Sequence, residues 1–231
     1  MQITLVIMTK NERQGAEAIF PSIPFQAVDR ALVVDAGSKD GTIEFFRQKG
    51  IPVVIQQRPG LGGGVLEARQ AVSEGAMIFF HPDGNEAPED IPEFVRLLRT
   101  GFDFVVASRM IPGSRNEEDG RLLKPRKWTN LGLAWIARVC WPSNNGTVTD
   151  VVNGFRAITC AAFDRLKLDR LDCTIDYQMV IRAQKEKIRI CEFPTQEGRR
   201  IAGETNFKSI PTGLAELRML SREIWLGRRY R

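Results

Sequence analysis

Five short apolar runs, closed by polar or glycine-bearing turns and with helical stretches between them, constrain this chain more than any other feature. They are Ile3–Met8, Ala31–Val34, Pro52–Ile55, Ala76–Phe80 and Phe104–Ala107. Runs of this length bounded by turn chemistry read as buried strands. Between them, a helix runs to about Phe20, and a second turns Ile43, Phe45 and Phe46 inward with Ser38 or Asp40 as its cap. A glycine-led helix over Leu61–Glu74 carries Val65, Leu66, Ala68 and Val72 as its stripe, and Pro88 opens a helix bearing Phe94, Val95, Leu97 and Leu98. The alternation predicts an α/β fold: a mostly parallel central sheet with helices on both faces. Ligands of such sheets bind beyond the carboxyl ends of the strands. The turns after the strands are therefore where chemistry is expected.

The second half is less regular. Ile111–Lys124 reads as a loop, and Arg126–Trp141 as a helix with Trp128, Trp135 and Trp141 and few charges. Asp150–Ile158 and Lys187–Phe193 read as strands flanking a helix around Tyr177–Lys185. A C-terminal amphipathic helix, Pro211–Leu226, shows Leu214, Leu217, Leu220, Ile224 and Trp225 as its apolar residues. With 231 residues and no repeat, the chain is expected to form a single domain over 1–231, with parts 1–110, 111–209 and 210–231.

Charge is unevenly placed. From Arg199 to Arg231 eight basic residues stand against three acidic ones, an excess equal to the net charge of +5 for the whole chain. That segment is where an anionic membrane or polyanion would be felt, although a solvated basic tail is as good a reading from charge alone. The stacking aromatics and groove-reading motifs of nucleic-acid binding are missing, so no nucleic-acid partner is expected. Four scattered cysteines predict reduced thiols in a cytoplasmic protein. A single histidine excludes multi-histidine metal sites. The chain opens directly on a strand, which predicts no signal peptide, and no apolar run reaches the ~18 residues of a membrane span.

The most informative turn is Phe80-His81-Pro82-Asp83-Gly84-Asn85. His81, Asp83 and Asn85 alternate, so an extended chain would point all three one way. An imidazole, a carboxylate and an amide together suit a divalent cation that in turn holds phosphate oxygens. The plainer reading of His81 is a hydrogen-bonded strand-end residue. Asp35, at the end of the second strand, can accept hydrogen bonds from a ribose or base, or simply cap a turn. The run Gly60-Leu61-Gly62-Gly63-Gly64 is not a dinucleotide fingerprint, because it follows the third strand and Val65 replaces the last glycine. A flexible turn beside a diphosphate, with Arg58 supplying charge, is expected there.

Seven segments in order resemble the family 2 glycosyltransferases, whose nucleotide-sugar-binding fold is called GT-A. They are Ile7–Glu12, Val34–Thr42, Gly60-Leu61-Gly62, Phe80–Asn85, Ala107-Ser108-Arg109, Asp150–Arg156 and Gly203–Lys208. The last three are most similar to the branch that makes polyprenyl-phosphate sugars, the dolichol-phosphate mannose synthase type. The resemblance implies that 1–110 is the nucleotide-sugar half and 111–209 the acceptor half. It places Thr9, Asn11, Glu12, Asp35, Gly37, Arg58, Gly62, Asp83, Arg200 and Lys208 around the donor, with Arg200 and Lys208 over its diphosphate. It assigns Asp83, Asn85 and, where the family usually has an aspartate, His81 to a divalent metal, Mn²⁺ or Mg²⁺. It gives Arg109 and Arg126 to the acceptor's phosphate and makes them, with Asp83, the catalytic set. Arg156 reads as structural, paired with a carboxylate such as Asp176.

A phosphate acceptor is already anionic near neutral pH and needs no general base, whereas a hydroxyl acceptor does. The chain lacks the Glu-Asp pair of many hydroxyl-transferring relatives, with Asp119 and Asp150 remaining as candidate bases. Direct displacement would invert the anomeric carbon. A lipid acceptor implies a protein peripheral on the cytoplasmic face of a membrane or docked on a separate membrane-embedded partner. The tryptophans suit the headgroup level, and the basic last helix suits an anionic leaflet. A core role for both is equally consistent with the sequence. Transfer to a hydroxyl, or nucleotide-sugar binding without catalysis, remain as alternatives.

Overall fold

Among the described residues seven strands lie in one sheet in the order β3-β2-β1-β4-β6-β5-β7. The strands are β1 (Ile3–Thr9), β2 (Arg30–Asp35), β3 (Val53–Ile55), β4 (Ala76–Phe80), β5 (Phe104–Ser108), β6 (Arg156–Thr159) and β7 (Ile190–Pro194). In this computed structural model residues 1–120, 122–201, 209–227 and 229–230 are described. Only β6 runs against its neighbours, antiparallel to both β4 and β5. The other six strands therefore end at one edge, and β6 begins there.

The helices are α1 (Arg13–Ile19), α2 (Thr42–Gln48), α3 (Gly60–Ala71), α4 (Ile91–Arg99), α5 (Pro125–Cys140), α6 (Cys160–Leu166), α7 (Ile175–Lys185) and α8 (Ser209–Leu226). Alternate residues of each strand feed opposite faces, as the period of two requires. Val6, Met8, Met77, Phe79 and Val106 pack on one side with residues of α3 and α5–α8. Leu5, Ile7, Ile78, Phe80 and Val105 pack on the other with residues of α1, α2 and α4. The mostly parallel sheet with helices on both faces is as expected.

Several local expectations change. The run from Asp150 forms a strand only over Arg156–Thr159; its first residues are a loop that turns Asp150 and Asn153 inward. Asn153 Nδ2 donates to the Ala107 carbonyl at 2.6 Å, so its side chain does what a ladder would otherwise do. The expected strand start at Lys187 is instead a turn, with Lys187 at φ 52. Helix α6 was not anticipated, although Thr159 caps it by accepting from the Ala162 N–H.

The glycine run is not a flexible turn. It is the first turns of α3, and a Cβ at Gly62 would collide with the Arg170 carbonyl. Glycine is needed there so that the helix can press on the 170–171 backbone. Of the apolar residues foreseen on α8, Leu220 turns inward with Met219, while Leu214, Leu217, Ile224 and Trp225 stay exposed.

Candidate active site

Two loops at the carboxyl edge are stitched together first. Thr9 and Asp35 end adjacent strands in register. Asp35 is fully buried. Its Oδ1 accepts the N–H groups of Gly37 and Ser38 at 2.9 and 2.7 Å. Its Oδ2 accepts the hydroxyls of Thr9 and Ser38, both at 2.6 Å. Asp35 thus spends its carboxylate on the loops; Gly37 follows it at φ 81. Asn11, at φ 54, donates its N–H to Ser38 Oγ and accepts the Lys39 N–H. The Glu12 N–H goes to Thr42 Oγ1 at 3.1 Å. The next turn of α1 needs a glycine, because a Cβ at Gly15 would strike the Pro82 carbonyl and lie 3.3 Å from Asp83 Cα. That close approach brings the first and fourth loops together.

The chain does not stay extended after β4. Pro82–Asn85 is a turn with Gly84 at φ 95, so His81, Asp83 and Asn85 do not simply alternate onto one side. Asp83 Oδ1 accepts the Asn85 N–H at 2.9 Å, and its Oδ2 accepts Arg200 Nη1 at 2.7 Å. The other terminal nitrogen of Arg200 donates to Glu12. One guanidinium therefore bridges the two carboxylates nearest the edge. Burial raises Glu12 above the usual carboxylate range, against the pull of Arg200. His81 is held by Glu86, which takes its main-chain N–H at 2.7 Å and its Nδ1 at 2.8 Å. Burial opposes charge on the imidazole, but the Glu86 carboxylate outweighs it and pushes His81 up to about 9.

These groups fit a divalent cation of the Mg²⁺ or Mn²⁺ type, which commonly takes one or two carboxylates and completes its shell with water and substrate phosphates. Asp83 and Asn85 offer oxygens once Arg200 leaves Asp83. A ligating His81 would use its second ring nitrogen, with Glu86 in the usual orienting place, and would first lose its proton. Among the described residues no three His, Cys, Asp or Glu side chains already converge on such an ion.

Across the edge, Arg109 follows β5. Its Nε and Nη2 bind Asp150 at 2.8 and 3.0 Å, and its Nη1 binds Glu197 at 2.6 Å. Glu197 also accepts the Glu117 N–H, and Glu117 pairs with Arg126 at 2.6 Å. Arg109 and Arg126 are thus joined through two carboxylates.

Neither candidate base suits that role. Burial alone would raise Asp150, but Arg109 holds it below the usual range, and it is fully buried. Lys127 holds Asp119 down to about 2. Arg156 is structural as expected, 3.4 Å from Asp176 and almost wholly buried.

Arg58 and Gly62 are engaged elsewhere. The Arg58 guanidinium lies 2.9 Å from the Gln70 side-chain oxygen when that amide is turned to accept, and the Arg58 N–H goes to Glu67. Lys208, with the whole 203–208 motif, lies outside the described residues. Sequence reasoning missed Gly15, Glu86 and Glu197. Glu86 directly follows the quoted turn and had a signal; Glu197 sits in a stretch with no periodicity and had none.

The comparisons bear on the family and the fold. Residues 4–171 match the family model described as glycosyl transferase family 2. The chain is 26% identical over 216 residues to a dolichol-phosphate mannosyltransferase of Pyrococcus furiosus, covering 90% of this chain and 60% of that protein. It is 27% identical over 218 residues to a dolichyl-phosphate hexose transferase of Haloferax volcanii, covering 92% and 90%. Glucosyl-3-phosphoglycerate synthase of Mycobacterium tuberculosis, solved with Mn²⁺ and UDP-glucose, superposes with a TM-score of 0.69 at 20% identity. It covers 98% of this chain and 78% of that one. At that identity the likeness shows the fold alone, which is the GT-A arrangement. With a family model matched over well more than half its length, the chain belongs to glycosyl transferase family 2.

Proposed function

We propose that this protein is an inverting glycosyltransferase that moves a sugar from a nucleotide diphosphate-sugar to a polyprenyl phosphate at a membrane surface. One observation carries the acceptor class. Helix α5 begins at the Arg126–Glu117–Glu197–Arg109 chain and then displays Trp128, Leu131, Trp135 and Val139 to solvent, on one stripe. Helix α8, which touches α5, also exposes Leu214, Leu217, Ile224 and Trp225. An apolar face beginning at a pair of arginines suits a lipid with a phosphate head. No helix among the described residues is long and apolar enough to cross a membrane, so the association proposed is peripheral, on the cytoplasmic leaflet or a membrane-embedded partner. The names of the archaeal relatives support the same acceptor.

The residues divide the work. Glu12 and the 9–12 and 35–42 loops form the wall against the nucleoside. Arg200 neutralises the diphosphate as it leaves. Arg109 and Arg126 orient the acceptor's phosphate. A phosphate oxygen bonds to the anomeric carbon on the face opposite the diphosphate, whose bond to that carbon breaks and takes the electron pair. No base is needed, because the attacking oxygen is anionic. A divalent ion held by Asp83, Asn85 and the second nitrogen of His81 would add charge stabilisation at the diphosphate. Positioning and electrostatics are the catalytic contributions.

The test is nucleoside diphosphate release from UDP- and GDP-sugars with Mn²⁺, with and without a short polyprenyl phosphate. Lipid-dependent release, reduced about 100-fold or more in Asp83→Ala, is expected. Release with a hydroxyl acceptor alone would replace the acceptor class, and binding without release from any donor would overturn catalysis.

A further inference from the structure

One short segment touches both substrate sides of the edge. Residues 195–201 leave β7 and run across the 81–86 turn. The Gly198 N–H donates to the Asn85 carbonyl at 2.9 Å, and the Ile201 N–H to the Asp83 carbonyl at 2.8 Å. Contact is close enough that a Cβ at Gly84 would sit 2.8 Å from the Arg199 carbonyl. Within this segment, Glu197 and Arg200 point to opposite sites. The Glu197 carboxylate lies on Arg109, and the Arg200 guanidinium lies between Glu12 and Asp83.

The charges match what each site would otherwise hold. Arg109 keeps Asp150, a fully buried partner on its own side, and receives Glu197 from the segment. Glu12 and Asp83 are two carboxylates that would repel each other without the guanidinium. Removing Arg200 with nothing in its place leaves two desolvated carboxylates facing each other, which is costly. Removing Glu197 leaves Arg109 with Asp150 as its remaining carboxylate partner and one terminal nitrogen open. An arriving phosphate can replace the Glu197 carboxylate like for like, and an arriving cation can replace the Arg200 guanidinium. Arg200, once off the carboxylates, is placed to take the diphosphate.

We propose that the 195–201 segment is a built-in placeholder for both substrates, with Glu197 standing for the acceptor's phosphate and Arg200 for the cation at the donor site. Because only two residues separate Glu197 from Arg200 on one backbone, displacing one loosens the hold of the other. Donor and acceptor binding are therefore positively coupled, and the coupling is equal in both directions. This rests on the donor and acceptor reading above. It makes Glu197 a positioning residue, acting through Arg109.

The experiment is a binding cycle on the full chain by calorimetry, with Mn²⁺ plus UDP or GDP as one probe and farnesyl phosphate as the other. Amide hydrogen exchange at residues 198 and 201 is followed in parallel. In the native protein each probe should tighten the other by the same factor, about 5–150-fold. Either probe should speed exchange at both amides. Glu197→Gln should bind farnesyl phosphate more tightly without nucleotide and bring the coupling factor toward one. Arg200→Gln should bind Mn²⁺ alone more tightly.

Independent binding of the two probes, or protected amides at 198 and 201 with either bound, would overturn the placeholder. The two readings fail separately. If farnesyl phosphate accepts sugar but binds without regard to nucleotide, the acceptor class stands and the placeholder falls. If Mn²⁺ and nucleotide open the segment while farnesyl phosphate never binds, the acceptor class falls and the donor arm of the placeholder stands.

Discussion

Helices α4 and α8 are built from similar residues and face opposite ways. Helix α4 buries Ile91, Phe94, Val95, Leu97 and Leu98 and turns its Glu93–Arg96 ion pair to solvent. Helix α8 buries Glu216 and Glu223, while Trp225 is 74% exposed and Leu214, Leu217 and Ile224 are about half exposed. The inward face of α8 carries buried ion pairs beside Met219 and Leu220. Glu223 accepts from Arg182 at 2.7 Å and from Lys185 at 2.7 Å, all three fully buried. Helix α4 is packed against the sheet by apolar contact, as hydrophobic burial dictates. Helix α8 is also clamped to α7 by charge, and Leu214, Leu217, Ile224 and Trp225 remain available for another surface.

The largest effects that would break this contrast are on stability. Phe94→Ala should cost about 3–5 kcal/mol by opening the α4 core. Glu223→Ala should cost about 3–5 kcal/mol by leaving two buried cations facing each other. Leu217→Ala should stay within about 0.5 kcal/mol, as an exposed position does. Denaturant titration measures all three, and a large loss at Leu217 would mean that α8 packs as α4 does.

The next effect sharpens the role of the outward face. The double variant Trp135→Ser with Trp225→Ser should weaken sedimentation with vesicles rich in anionic lipid about 100-fold, at roughly tenfold per tryptophan. Its thermal midpoint should hold. Unchanged vesicle binding would remove the membrane from the proposed function.

Smaller effects concern pH. Burial, with Asp176 and Asp172 nearby, pushes Glu216 up to about 8, and its Oε2 has no hydrogen-bond partner. The folded state then keeps a proton that the unfolded chain loses above about 4.5. Stability should therefore fall as pH rises from about 4.5 to 8. Glu216→Gln should remove that slope and gain on the order of 1–3 kcal/mol at pH 8.

His81 adds a smaller slope. Its stabilisation is fully present below about 6.5 and is lost as pH rises through about 9. His81→Gln should flatten only that upper window, by on the order of 1–2 kcal/mol. Stability curves between pH 4 and 10 separate the two residues, and a flat native curve would contradict both.

The edge proposed for the donor was largely legible because each loop there follows a strand whose apolar run stands alone in sequence. Ala76–Phe80 appears at its predicted bounds, with the His81–Glu86 turn directly beyond it. The side proposed for the acceptor was less legible, because the partners of Arg109 come from distant segments. Arg109 was found in sequence, but Asp150 and Glu197 lie 41 and 88 residues away. Nothing local to either carboxylate marks it as a partner. The alternation expected at His81, Asp83 and Asn85 failed because Gly84 adopts a left-handed turn, which glycine permits at no steric cost.

By itself the sequence determined the alternating strands and helices, the parallel sheet they imply, the edge on which the proposed site lies and the family resemblance. Period-two and period-3.6 patterns are local, and ordered motifs survive reading one residue at a time. Only the tertiary structure decided the reversal of β6, the direction α8 faces, and the meeting of Glu12, Asp83 and Arg200. Those outcomes depend on which desolvated charges find partners far along the chain. A buried carboxylate such as Glu223 is tolerable only where folding brings it to Arg182 and Lys185.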